Sequence, residues 1–388
     1  MLPIPAALHT SEVGSFAHST LCVRVPEILR GVRCGLEPLP PGIAERFEAL
    51  HLEITSGAVT EFADAGADTE LFAEATRPHL GKNWLDLPWF FAEALFYRRV
   101  LHATGFFGEG PLARVDPYAQ AKHAELTPSE GLGRLSKVLE ALADESQARV
   151  QQLLLASLWG NRVDLSYNVA TALGAYQGDA ASDLLIDDTG IVVERLTARA
   201  GKIALIADNT GTELLMDLAL VRELLSLGKH VELHLKAQPT FVSDATREDF
   251  VGTLACLERT PGVLKALAQA LNAALDAGQL EVVTDLFYTS PWHYPQLPED
   301  LVRRFRGCDL VILKGDANYR RLCSDAHWPH TTPFSDVVDY FPAPLVALRT
   351  LKSELIVGLS PGTSERLSAE EPGWLVKGRR GVIQAWLP

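Results

Sequence analysis

No apolar run in this chain reaches the ~18 residues that suggest a membrane-spanning helix, so a membrane protein is not expected. Residues 1–18 lack the basic stretch and apolar core of a secretory signal, and a cytoplasmic location is the expectation. Cysteine is sparse. Its five residues, Cys22, Cys34, Cys256, Cys308 and Cys323, are odd in number, scattered and without a C-x-x-C pair. Neither a disulfide framework nor a zinc site is indicated, and most of the five read as small buried apolar residues. Positive charge is in deficit: the net charge is −14, which argues against general nucleic-acid binding, because that requires a basic face. A small phosphorylated substrate stays compatible, since a few local cations or a metal reverse the sign inside a cleft. No G-x-G-x-x-G follows an expected strand, and residues 105–110 lack the P-loop pattern. No G-x-S-x-G nucleophile elbow, repeat or low-complexity tract is present.

What is present is an ordinary globular composition. Of 388 residues, 47% are hydrophobic and 22% charged, enough for one large domain or two ordinary ones. Residues 1–45 are proline-rich and are expected to wrap over the surface. Residues 45–160 read as helical and aromatic-rich, with Pro88 near the first turn of a helix over 92–104 and a long helix or helix pair over 129–159. Strands are expected at 184–186, 202–207, 231–235, 280–286, 310–313 and 355–357. Helical patterns at 212–227, 245–277 with a break near Pro261-Gly262, and 298–306 separate most of them. This alternation implies an α/β fold, a Rossmann-like mainly parallel sheet with helices on both faces and an added N-terminal helical region. The expected organisation is an extended and helical region over 1–165 and a Rossmann-like domain carrying the chemistry over 166–388.

The chemistry gathers where expected strands end. Asp208-Asn209 follows the apolar run 203–207, and Lys236 and Asp244 follow the next strand. Asp285 ends another, and Lys314-Gly315-Asp316-Ala317-Asn318-Tyr319-Arg320 follows the fifth. An Asp-Asn pair alone reads as a turn or a helix cap. In a parallel sheet all four segments share one edge, where ligands of open α/β sheets bind. A carboxylate beside an amide oxygen suits a hard cation such as Mg²⁺ or Mn²⁺. His230 and His234 are ~13 Å apart if on a strand, too far to share a metal. Trp84, Trp89, Phe90, Phe91, Phe96 and Tyr97 read as core, and Arg98-Arg99 as a solvated helix face.

These segments resemble those of the metal-dependent damage-control phosphatases, first catalogued as a domain of unknown function, and within them the acidic-residue-methyltransferase-like subfamily III. The likeness is carried by residues 84–93 and 96–99, by Leu158 to Ser166, by Asp208-Asn209-Thr210-Gly211-Thr212-Glu213 and by Phe241 to Asp244. It continues through Leu313 to Arg320, Trp328-Pro329, Thr331 to Phe334 and the R-T-x-K run Arg349-Thr350-Leu351-Lys352. Residues 1–40 carry little of it. The resemblance implies an α/β sheet with an added helical part and a divalent metal, Mn²⁺ or Mg²⁺, with Co²⁺ or Ni²⁺ as alternatives, held by Asp208, Asn209 and Asp244. It implies substrate contacts for Glu213, for Asp316, Asn318 and Arg320, and for Lys352, with Asn161 and Asp164 lining the same cleft. Ala317 stands where a larger apolar residue is expected in relatives, which puts substrate choice in question but not the metal set.

On that basis the expected partner is a small-molecule phosphate ester, such as fructose 1-phosphate or fructose 6-phosphate. Lys352 and Lys314 would pair with the phosphate, and Arg349 would either help them or brace its loop. Asp208 would orient or deprotonate the attacking water, or attack the phosphorus itself. D-x-D-x-T is absent, so an aspartyl-phosphate intermediate is not assumed. The alternatives are an S-adenosylmethionine-dependent carboxyl O-methyltransferase, which lacks here its usual glycine-rich first loop, and a non-catalytic sugar-phosphate-binding protein.

Overall fold

The computed structural model describes residues 2–62, 64, 66–125, 130–160, 183–198 and 201–388. Seven strands form one sheet: β1 Leu184–Asp187, β2 Lys202–Ile206, β3 His230–Lys236, β4 Leu280–Asp285, β5 Leu310–Lys314, β6 Leu345–Thr350 and β7 Gly381–Trp386. Their spatial order is β1-β7-β6-β5-β2-β3-β4. Strands β6, β5, β2, β3 and β4 run parallel; β7 is antiparallel to β6, and β1 is parallel to β7. The chain therefore has the α/β class and mainly parallel sheet that its pattern implies.

The apolar character of the central strands explains why both faces are covered. Ile203, Leu205 and Ala207 enter one core, whereas Ala204 and Ile206 enter another. Leu310 and Ile312 of β5 take the first side, Val311 and Leu313 the second. Side chains alternate across a strand, so a strand apolar at every position needs packing on both faces. The Ser146–Trp159, Thr212–Ser226, Arg247–Arg259 and Val263–Asp276 helices supply the first core. The N-terminal helices, with Trp89–Thr104, Glu299–Arg306 and Gly315–Leu322, supply the second. A capping box between Thr246 and Asp249 starts the Arg247–Arg259 helix, and Pro261-Gly262 separates it from the next, as the sequence implies.

Several expectations change. Leu355, Ile356 and Val357 are buried but form no strand. A short buried apolar run looks alike in a strand and in an irregular core segment. The strand in that region is β6, whose apolar pattern is interrupted by the buried Arg349. Strand β7 is unforeseen, because the buried Gln384 breaks its apolar alternation. The 129–159 pattern resolves into two helices, Gly131–Glu140 and Ser146–Trp159. Residues 1–45 do more than wrap the surface. They include the helix Val25–Gly35, and Leu8, Ala17, Leu21, Val25 and Leu29 enter the core. The boundary expected near residue 165 falls outside the described residues.

Arg98 and Arg99 do not face solvent. Every residue of the Trp89–Thr104 helix except His102 is buried, because the helix is covered on all sides. Acids come to the arginines instead. Arg98 Nε donates to both Asp68 oxygens at 2.8 and 2.9 Å, and its other nitrogens donate to Asp64 at 2.8 and 2.7 Å. Arg99 lies 3.6 Å from Glu53. The aromatic residues around them are core, as expected.

Candidate active site

The carboxyl ends of β2, β3, β5 and β6 build one site. Beyond β2 the chain continues as Ala207-Asp208-Asn209 and meets the loop that follows β3. Ala245 N donates to Asp208 O at 2.9 Å, and Thr210 N donates to Ser243 O at 2.7 Å. An isolated bridge pairs Asn209 with Asp244. This backbone zipper brings Asp244 to the Asp208-Asn209 pair, which stands more than thirty positions earlier in the sequence.

Their side chains are held tightly. Asn209 Nδ2 donates to Asp208 Oδ2 and to Glu213 Oε2, both at 3.0 Å, while its Oδ1 accepts from Ser243 Oγ at 2.7 Å. Asp208 and Asp244 are buried. Their Oδ1 and Oδ2 atoms, respectively, are enclosed without a hydrogen-bond partner. Lys236, the last residue of β3, places Nζ 3.2 Å from Asp244 Oδ2 and 3.8 Å from Asp208 Oδ1. Burial, reinforced by the charge of Asp244, pushes the Asp208 carboxyl up to about 8. Burial also raises Asp244, against the pull of Lys236. Two buried carboxylates that share one nearby lysine are costly, and a hard cation is a chemical species that would satisfy them. Among the described residues no cluster of three His, Cys, Asp or Glu side chains offers a metal site. The set here is two carboxylates beside the Asn209 amide, which with the amide oxygen turned toward them would fit an ion that keeps several waters.

Strand β5 supports this set from beside it. Gly315 has φ +81°, and a Cβ there would lie 1.9 Å from Asp208 Oδ2. Only glycine allows both that backbone conformation and that approach. Gly315→Ala is expected to destabilise the protein by about 2–4 kcal/mol, from left-handed strain plus overpacking. Thermal unfolding checks this, and an unchanged midpoint would refute the close approach.

The basic residues of the expected substrate set divide sharply. Lys314 Nζ donates to Ser157 O at 2.6 Å and lies 3.2 and 3.1 Å from Glu213 and Asp217. Burial works to lower its pKa, but Asp217 and Glu213 hold it raised. Arg320 is bound by Asp325 and Glu93 and stacks 3.6 Å above Trp89. Arg349 donates to Asp316 at 2.8 Å, Leu355 O at 2.6 Å and Ser353 Oγ at 2.8 Å. Of the two jobs considered for Arg349, bracing is the one its contacts describe. Lys352 differs: it is exposed. Burial pushes Glu213 up, but Lys314 and Lys352 pull it below its usual range. Asp316 accepts the Lys352 backbone N–H at 3.1 Å, which ties the lysine's segment to the helix that follows β5.

Asn318 is turned inward, donating to Lys314 O at 2.8 Å and accepting from Tyr294 Oη at 3.1 Å. Asp285 caps the turn after β4 through Phe287 N at 2.8 Å. His234 is buried against Tyr288 and Glu232, while His230 is exposed. Asn161 and Asp164 lie outside the described residues. Ser157, Asp217 and Tyr294 are contributors that sequence reasoning missed. Only Asp217 left a signal, as an acid one turn after Glu213 within the apolar stretch Leu214 to Val221.

Fold and cleft together define an open α/β protein with an acidic, lysine-edged site at the carboxyl ends of its parallel strands. The chain belongs to the damage-control phosphatase ARMT1-like family, whose domain model matches residues 36–367. It is 31% identical to the mouse protein named damage-control phosphatase ARMT1, over 99% of both chains. The human protein of that name is 29% identical over 99% of both, and the zebrafish (Danio rerio) one 30% over 99% of this chain and 97% of its own. The crystal structure of a DUF89 family protein from Pyrococcus horikoshii superposes with a TM-score of 0.51 at 15% identity, covering 95% of this chain and 98% of that one. That likeness concerns the fold alone. Among the described residues no helix is long and apolar enough to cross a membrane.

Proposed function

We propose that this protein is a divalent-metal-dependent phosphatase acting on small phosphate monoesters, with sugar phosphates such as fructose 1-phosphate or fructose 6-phosphate as substrates. Family membership supports the phosphatase class. The observation that carries the metal reading is the pair of buried carboxylates of Asp208 and Asp244, whose facing oxygens share Lys236 beside the Asn209 amide. Asp208, Asn209 and Asp244 would hold the ion, with Mn²⁺ or Mg²⁺ preferred and Co²⁺ or Ni²⁺ as alternatives. When bound, such an ion neutralises phosphoryl oxygen charge.

The chain's own residues account for the rest. Lys352, exposed at the edge, pairs with the phosphate. Glu213, fixed by Asn209 and Lys314, accepts a substrate hydroxyl. Lys314, Arg320 and Arg349 hold Glu213, the Gly315–Leu322 helix and Asp316 in place. Asp316 shapes the wall next to Lys352, and Asn318 steadies the end of β5 through Lys314 O and Tyr294. The test is to strip metal, add back Mn²⁺, Mg²⁺, Co²⁺ or Ni²⁺, and measure phosphate release from a panel containing both fructose phosphates. No release with any metal refutes the phosphatase reading; release confined to other esters refutes the sugar-phosphate reading. Methyl transfer from labelled S-adenosylmethionine in the same preparation would favour the methyltransferase alternative.

A further inference from the structure

The loop between β3 and the Arg247–Arg259 helix carries Asp244, and its backbone is strained. Phe241 has φ +46° and Val242 φ +68°. Adjacent left-handed residues with aromatic and β-branched side chains are outliers. Such strain persists only where the surroundings over-determine it. Backbone bonds within the loop, Ser243 N to Phe241 O at 2.8 Å and Asp244 N to Thr240 O at 3.3 Å, close the turn, and the N-terminal helical region packs against it. The Gln238 side chain is buried, and its Nε2 donates to Asp68 Oδ2. Asp68 is itself held by Arg98. The Phe241 ring packs 4.8 Å from Tyr97 and 6.0 Å from Phe90. On the far side of the loop, Lys122 joins Asp249 at 2.7 Å and Asp116 at 2.8 Å. The loop is thus gripped before, within and after its strained residues.

We infer that the N-terminal helical region is a clamp that keeps this loop strained and so sets Asp244 beside Asp208, with Gln238 as the positioning residue. Were φ to relax at Phe241 and Val242, the chain would leave in another direction just before Ser243 and Asp244. Ser243 also steadies Asn209, so two members of the acid–amide–acid set would move together. Asp68 already has Arg98 as its counter-charge, so removing the neutral Gln238 amide leaves no unpaired ion and spares the fold. The inference rests on the metal reading for its consequence, but the clamp has a signature of its own.

The experiment counts free Mn²⁺ by its electron paramagnetic resonance signal as the ion is added to metal-free protein. Gln238→Ala is expected to raise the Mn²⁺ Kd about tenfold, the scale of lost support behind a ligand. Adding Val242→Gly to that variant should recover most of the loss, because glycine adopts the left-handed conformation without being forced. A residue that only stabilised the fold would show no such rescue. In metal-free protein, the Thr210 and Ala245 amides, bonded to Ser243 O and Asp208 O, should exchange hydrogen faster in Gln238→Ala than in wild type. A Kd within about twofold of wild type, no recovery with glycine, or unchanged exchange overturns the clamp. If wild type takes up no Mn²⁺, the metal reading falls, and amide exchange still decides the clamp.

Discussion

Asp208→Ala is expected to cut metal-dependent phosphate release by roughly 10³-fold, the scale of losing a group that meets the reaction's developing charge. The expectation has two parts. Without Asp208, the remaining carboxylate, Asp244, lies 3.2 Å from Lys236, and that ion pair leaves little negative charge to draw a cation. The Asn209 amide also loses one of the two acceptors that orient it. Stability should move the other way. Burial and Asp244 hold the Asp208 carboxyl up at about 8, against an unfolded value near 4. A carboxyl whose folded pKa is raised favours the folded state below its unfolded pKa and opposes it as pH climbs to neutrality. Metal-free Asp208→Ala should therefore unfold at the same temperature as metal-free wild type, or higher, at pH 7. Mn²⁺ should raise the midpoint of wild type but not of the variant, since only binding to the folded state stabilises. Phosphate release at the wild-type rate by the variant, or equal stabilisation of both proteins by Mn²⁺, would remove Asp208 from the site.

Lys314→Met is expected to cost about 3–5 kcal/mol of stability at pH 7, because it strands buried acids rather than deleting a surface pair. Lys314, Glu213 and Asp217 are all buried, and the lysine lies within 3.2 Å of both carboxylates. Methionine fills comparable space but supplies no charge. Asp217 has few alternatives: Ser157 donates to it at 2.5 Å, and burial holds its carboxyl up at about 6 even beside the lysine. Without the cation it would take up a proton at still higher pH, so the deficit should shrink between pH 7 and pH 5. Denaturant midpoints of wild type and variant at the two pH values check both size and sign. A variant as stable as wild type at pH 7, or a deficit that grows on acidification, would show that Lys314 is not the counter-charge for these acids.

Much of the candidate site's layout was legible because each strand end is a local signal. An apolar run at 203–207 followed by Asp208-Asn209 marks both where the strand stops and what chemistry it presents. The run at 231–235 likewise points to Lys236 and the loop bearing Asp244. The roles of the cations were not legible. A lysine or arginine after a strand looks the same in sequence whether it meets solvent, substrate or a buried acid. Lys314 at the end of β5 meets Asp217 from the Thr212–Ser226 helix, Arg320 meets Glu93, and Arg349 meets Asp316. Arg98 was misplaced for the same reason, since its acids come from a separate segment. Strands β6 and β7 were missed where a buried Arg349 and Gln384 interrupt the apolar pattern.

The sequence by itself determined the α/β class, the parallel strands and the edge at which acid and amide collect. These follow from hydrophobic period and from which residues stand where a run ends, and both are properties of neighbours along the chain. Only the tertiary structure decided which of the expected basic residues are spent on buried acids, Lys314, Arg320 and Arg349, and that Lys352 remains exposed. It also decided that a loop with two left-handed residues is gripped by a helix more than 130 positions earlier. Charge pairing and backbone strain depend on distances between segments remote in sequence, and no local pattern encodes them.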